Sequence, residues 1–225
     1  MVKLKEVPIA INSGPNVLSK RDAAWHKGMP GKKEQFLITV AGLESKSGAT
    51  HLCLSLALKA SQRGINCAVI LSQKCFDALR YYYVLNIYEE AENGQSEARQ
   101  FANFAGLSIM SGVLPGDIEG YQLIVWDCGT LPRGQRRFAR GDLRCIVSGG
   151  QAWELTPLND LLMSLDYEEL KYCAACIRGA SLSDYIHIEQ EMAGRLPCIN
   201  ILHKADWTDV AMREDLLAIL RLAGF

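Results

Sequence analysis

The sequence predicts an α/β domain of three layers, a mostly parallel sheet covered by helices on both faces. Three observations point there. Short, continuous apolar runs rich in β-branched residues recur along the chain, stretches of helical period lie between them, and the first run enters the first helix through a loop of small and polar residues. With 225 residues, 49% of them apolar and 22% charged, the chain is long enough for one sizeable core and short for two.

The elements follow in order. Residues 1 to 35 hold Pro8, Pro15 and Pro30 with Lys3, Lys5, Lys20, Arg21, Lys27, Lys32 and Lys33, and no sustained apolar period. They are expected to form an irregular basic leader ahead of a single domain over 36–225. Phe36 to Ala41 (FLITVA) is a strand of the doubly covered kind. From Thr50 the period turns helical through Leu52, Leu54, Ala57, Leu58 and Ala60, and Gly64 is placed to end that helix. Cys67 to Leu71 (CAVIL) is a second buried strand, residues 76 to 106 read as helix with a break near Asn93-Gly94, and Leu107 to Val113 reads as a strand. Tyr121 to Trp126 runs into Asp127, and Cys145 to Ser148 and Ile199 to Leu202 complete the strands. Strands alternating with helices imply right-handed crossovers and a parallel sheet.

The formal net charge of −1 gives no global attraction to nucleic acid or anionic lipid, so such a partner would need a local patch. No apolar stretch reaches the roughly 18 residues of a membrane span, and the N-terminal residues lack a signal-peptide core, so a cytoplasmic location is expected. The eight cysteines lie mostly in apolar runs, which favours reduced, buried thiols. Cys173 and Cys176, with His187, Cys198 and His203 further on, supply zinc-ligand types, but one Cys-x-x-Cys without a second close pair is a weak signal and no zinc is expected.

Between the first strand and its helix lies Gly42-Leu43-Glu44-Ser45-Lys46-Ser47-Gly48-Ala49-Thr50-His51. This is where P-loop proteins cradle phosphates with backbone N–H groups at a helix N-terminus. The nucleotide-binding residues are therefore expected to be Ser45, Lys46, Ser47, Gly48, Ala49, Thr50 and His51. The full motif is Gly, four residues, Gly, Lys, then Ser or Thr. Laid on Gly48 and Thr50, it puts Leu43 at the first glycine and Ala49 at the lysine.

The following segment, THLCLSLALKASQRGINCAVIL, resembles the helix and second strand of MinD/ParA-type (SIMIBI) P-loop ATPases, and YQLIVWDCG resembles their Walker B strand. The likeness covers roughly residues 36 to 150 and implies a P-loop NTPase fold. The family's signature lysine and the aspartate closing its second strand fall here on Glu44 and on Ser72-Gln73. A loop of this glycine-threonine-histidine style, with the lysine replaced, is similar to that of pilus-assembly and positioning relatives of the TadZ/CpaE kind. The resemblance implies ATP or ADP with magnesium as ligand, Thr50 and Asp127 as the magnesium pair, protein partners and a homodimer.

A lysine ammonium about 4 Å from a phosphate oxygen contributes on the order of 4 kcal/mol at an effective dielectric of 20, roughly a thousandfold in affinity or rate. Ala49 forfeits it. Nucleotide binding is expected to be weak or absent, turnover very weak or nil, and the function to run through protein contacts; the alternative is an unusual ATPase completed by Lys46. Arg133, Arg136, Arg137, Arg140 and Arg144, opposed in sequence by Asp142, form a candidate patch for an anionic partner, nucleic acid included. The C-terminal run from Asp209 to Leu222 mixes Glu214 and Asp215 with Arg213 and Arg221, which fits a helix packed on the domain better than one seeking a membrane.

Overall fold

The computed structural model describes residues 35–83, 86–90, 99–131, 133–192, 195–202 and 206–225. The basic leader over residues 1 to 34 lies outside them. In chain order the elements are β1 (Phe36–Gly42), α1 (Ala49–Gln62), β2 (Cys67–Leu71), α2 (Gln73–Tyr82), β3 (Asn86–Glu90), β4 (Arg99–Phe104), β5 (Leu107–Ser111), β6 (Leu123–Thr130), α3 (Gln135–Phe138), β7 (Leu143–Gly149), α4 (Ala152–Ser164), α5 (Tyr167–Leu170), β8 (Cys173–Arg178), α6 (Leu182–Met192), β9 (Cys198–Ile201) and α7 (Glu214–Leu222). The strands form one sheet in the order β3-β4-β5-β2-β6-β1-β7-β8-β9. From β5 to β9 every pairing is parallel, and β3 and β4 add an antiparallel edge.

Alternation along the strands divides the core in two. Ile38, Val40, Val69, Val125, Val147 and Cys176 meet α1, the apolar side of α2 and α7 on one face. Ala41, Ile70, Ile124, Trp126, Ile146 and Ile177 meet Phe138, Leu158, Leu162, Leu170 and Ile188 on the other. This is the three-layer arrangement that doubly covered strands require. Period two also separates Cys173 from Cys176: three residues apart on β8, they sit in opposite core layers and cannot share one ligand. Burial pushes the Cys173 thiol up to about 11 and the Cys128 thiol up to about 12, so both are protonated at neutral pH. His203 lies outside the described residues.

Two stretches depart from the sequence reading. Residues 76 to 106 are not a broken helix: α2 stops at Tyr82, Tyr83 is extended, and β3 and β4 pair antiparallel. The strands here lack the apolar run that identifies buried ones, for in β4 only Ala102 is fully buried while Phe101 and Phe104 are partly so. The second is β8 (Cys173–Arg178), a buried strand absent from those read in the sequence, where the segment stood out only for its Cys-x-x-Cys spacing; elsewhere the boundaries shift slightly. The strand read as ending at Trp126 continues through Asp127 to Thr130, and the C-terminal helix starts at Glu214.

α1 is clamped from behind. The Ser55 hydroxyl donates to the Trp207 carbonyl at 3.1 Å, and the buried Lys59 ammonium donates to the Val210 and Ala211 carbonyls at 2.9 and 2.8 Å. Arg213, 1% exposed, holds Asp215 with contacts of 2.6 to 3.0 Å. Asp215 in turn accepts the Leu202 N–H at 3.1 Å, tying α7 to the end of β9.

Candidate functional site

Parallel strands bring their C-terminal ends to one edge of the sheet, and β1, β6, β7 and β8 place Gly42, Asp127, Gly149 and Arg178 there. Chain direction diverges at β1, whose helix leads across β6 to β2, while β7 lies on the other side. Such a switch point is where open α/β sheets bind ligands.

The loop from Gly42 to Gly48 is built around close approaches. A Cβ on Gly42 would collide with the Ser47 side chain, so the chain needs its glycine there rather than at Leu43. The Ser47 N–H bonds back to the Glu44 carbonyl at 3.3 Å, closing a turn in which Lys46 adopts φ 67°. A side chain in that left-handed region costs roughly 1–2 kcal/mol. Gly48, at φ 97°, precedes the first helical residue without any side-chain cap. Its neighbour Ala49 is buried in the core under α1.

Two predicted residues meet. The Thr50 hydroxyl donates to Asp127 Oδ2 at 2.6 Å, and Asp127 Oδ1 accepts the Gly129 N–H at 2.9 Å. A bulge sets this up: Val40 pairs with Asp127 but Gly42 with Thr130, leaving one extra residue on β6, and Gly129 takes φ 75° in the excess. Asp127 is only 2% exposed, so its carboxylate is held at the sheet edge and aimed at the helix start. An Asp–Thr pair at this position fits a hydrated magnesium ion, which keeps several waters and takes few protein oxygens. Among the described residues no group of three or more His, Cys, Asp or Glu side chains is assembled for a metal.

The opposite side of the loop opens on a cleft of about 290 Å³, open solvent included, lined by Leu43, Glu44, Ser45, Lys46, Ser47, Val147, Ser148, Gly149, Glu154 and Arg178. Lys46 and Arg178 bring positive charge to it, Glu44 and Glu154 negative. Glu154 is engaged at its own helix, accepting the Gln151 N–H at 3.1 Å and lying tight against Gly149. Neither Arg178 nor Glu154 was visible as a site residue in the sequence, since Arg178 enters from the end of β8 and Glu154 from the first turn of α4, both remote from the loop motif.

Other predicted residues lie elsewhere. His51 sits half-buried in the first turn of α1, near enough to Asp206 to help hold that carboxyl low, after the stronger hydrogen bonds from Thr208. Arg133, Arg136, Arg137 and Arg140 are exposed around α3, and among the described residues none of them forms an ion pair. The turn beneath them is fixed by buried Phe138, whose carbonyl accepts the Thr39 hydroxyl at 2.8 Å. Asp142 faces inward and accepts the Leu37 N–H at 3.0 Å. Arg144 separates from the group, directed at the Gly141 and Glu169 carbonyls.

The sheet order, the glycine-bearing loop before α1 and the Thr50–Asp127 contact define a P-loop α/β fold of the MinD/ParA kind. Solved structures share it. The MinD cell division protein of Aquifex aeolicus matches with a TM-score of 0.60 at 11% identity, covering 84% of this chain and 95% of that one. The MinC:MinD complex of the same organism matches with a TM-score of 0.59 at 11% identity, over 84% and 94%. A plasmid partition protein of Borrelia burgdorferi B31 bound to AMPPNP matches with a TM-score of 0.57 at 12% identity, over 84% and 97%. No protein-family model matches the chain, and no curated protein matches its sequence. Among the described residues no helix is long and apolar enough to cross a membrane.

Proposed function

We propose that this domain senses a magnesium nucleotide without consuming it at a useful rate, and acts through protein contacts in positioning, assembly or regulation. The single observation that carries this reading is the asymmetry at the start of α1. Thr50 and Asp127 touch at 2.6 Å, while the adjoining lysine position is a buried alanine. Backbone N–H groups of the loop would receive phosphate oxygens, and Thr50 and Asp127 would hold magnesium, which supplies charge neutralisation when bound. What the loop lacks is a lysine at the Ala49 position to stabilise charge developing on a transferring phosphoryl group.

The charges lining the cleft sharpen the point. Two carboxylates stand beside two cations, so a phosphate entering this side gains less than at a wholly basic loop. The fold supports the same reading, because one neighbour of the same architecture is a partition protein bound to AMPPNP and another a MinD in complex with MinC. Of the processes open to such a domain, pilus assembly or protein localisation in a cytoplasmic setting fits the likeness of its loop, with alanine in the lysine place, to positioning relatives of the TadZ/CpaE kind. A homodimer closing over the loop belongs to this proposal.

The test is steady-state ATP hydrolysis by the wild-type chain and by Ala49→Lys. The wild type is expected to release phosphate at or near background, and Ala49→Lys to bind magnesium-ATP at least about tenfold more tightly. Turnover by the wild type at the rate of intact ATPases of this fold would refute the proposal.

A second reading rests on the arginine turn. Four guanidinium groups that form no ion pair among the described residues, exposed around one turn, suit an anionic partner, nucleic acid included. Arg136→Gln with Arg137→Gln is expected to weaken duplex DNA binding and flatten its salt dependence by about two counterions. Binding unchanged by salt or by the double substitution excludes that use of the turn.

A further inference from the structure

We propose that Arg178 is the cation that meets phosphoryl groups at this loop, taking over from a strand end the role that a lysine fills from within the loop. The inference rests on the nucleotide-sensing reading above and names the residue that makes binding workable despite Ala49.

Position comes first. Arg178 closes β8, two strands from β1, and its side chain reaches back over the loop. Its Nη2 donates to the Lys46 carbonyl at 3.4 Å, and a Cβ built on Gly48 would stand 3.4 Å from its Cδ and 3.6 Å from its Nε. These are ordinary contact distances, so the Arg178 side chain lies against the loop just before α1 begins.

Commitment comes second. Among the described residues the long bond to Lys46 is the sole hydrogen bond of the Arg178 side chain, and it has no carboxylate partner. Glu154 lines the same cleft but forms no ion pair with it, being held as a cap on the Gln151 N–H. Arg213 shows what this chain does with a structural arginine: it buries it and pairs it twice over with Asp215. Arg178 is placed differently, half-buried beside the cleft with most of its donors unused. A guanidinium in that state has a planar fork available for phosphate oxygens.

Geometry also separates Arg178 from Lys46. Lys46 is exposed and carries its ammonium on a flexible stem, whereas Arg178 is anchored at the end of a strand paired on both sides and already in contact with the loop. Arg178 supplies fixed charge for holding the anion. It sits outside the turn of the loop, which suits binding better than stabilising a transferring phosphoryl group from within.

Isothermal calorimetry on the full chain tests this with magnesium-ATP and, separately, magnesium pyrophosphate, for wild type, Arg178→Ala and Arg178→Lys. Arg178→Ala is expected to lose about tenfold to a hundredfold in affinity for both ligands, with Arg178→Lys recovering part of it. Melting of each ligand-free variant identifies any that fails to fold; if Arg178→Ala fails, Arg178→Lys carries the test, with a weaker affinity than wild type expected. Unchanged affinity in the folded variants overturns the inference and leaves nucleotide sensing intact. Tighter binding by Arg178→Ala also overturns it, since Arg178 would then be blocking the cleft. A loss confined to magnesium-ATP overturns it as well, placing Arg178 on the nucleoside. Absence of wild-type binding to either ligand at millimolar concentration brings down the sensing reading and the inference together.

Discussion

The two ends of α1 treat charge in opposite ways. Behind the helix, Lys59 is buried and committed to two carbonyls, and the neighbouring Arg213 to Asp215. In front of it, Lys46 is exposed and, among the described residues, the Arg178 side chain has a single long hydrogen bond. Both ends are polar, but only the rear is closed by its own partners. The difference teaches that a cation's sequence neighbourhood says little about its use. Lys59 lies in the helix that resembles a nucleotide-binding one and serves packing, while Arg178 is remote in sequence and lies against the loop.

Breaking the rear gives the largest effect. Arg213→Ala leaves the Asp215 carboxylate buried without its partner, and a loss of about 3–5 kcal/mol is expected in urea unfolding. Nucleotide binding measured well below the melting transition should change little, because the damage lies at the far end of α1. A loss under about 1 kcal/mol would show that the rear clamp is ornamental to the fold.

The front responds with the opposite sign. Lys46→Gly removes a side chain from a residue at φ 67° and is expected to raise stability by about 1 kcal/mol. The same change removes a cation from the cleft, so magnesium-ATP affinity should fall by a few fold. Chemical denaturation and calorimetry on one preparation check both. A destabilised Lys46→Gly would mean that the lysine does structural work at the loop, as Lys59 does behind it.

Much of the fold was legible because buried parallel strands are continuous apolar runs: β1, β2 and β6 each stand out, and the loop between β1 and α1 follows from their order. β3 and β4 were not, since an antiparallel edge with Phe101 and Phe104 only partly buried carries no such run and mimics a helical period. At the site, Thr50 and Asp127 were recognisable from their places after a loop and at the end of a strand, and they do touch. Arg178 and Glu154 were not, because adjacency across β7 and β8 is a property of the sheet order. The arginine cluster was legible as composition, yet the separation of Arg144 from the other four depends on which carbonyls it reaches.

The most direct test of the central claim is the unfolding midpoint of the wild-type chain with millimolar ATP or ADP, in magnesium and in excess chelator. A ligand at 100 times its dissociation constant stabilises by about 2.7 kcal/mol, which for a domain of this size is on the order of 5–10 °C. The account predicts an upward shift that requires magnesium and persists through the scan because nucleotide is not consumed. No shift in magnesium at either nucleotide, or an equal shift with the metal removed, would contradict it.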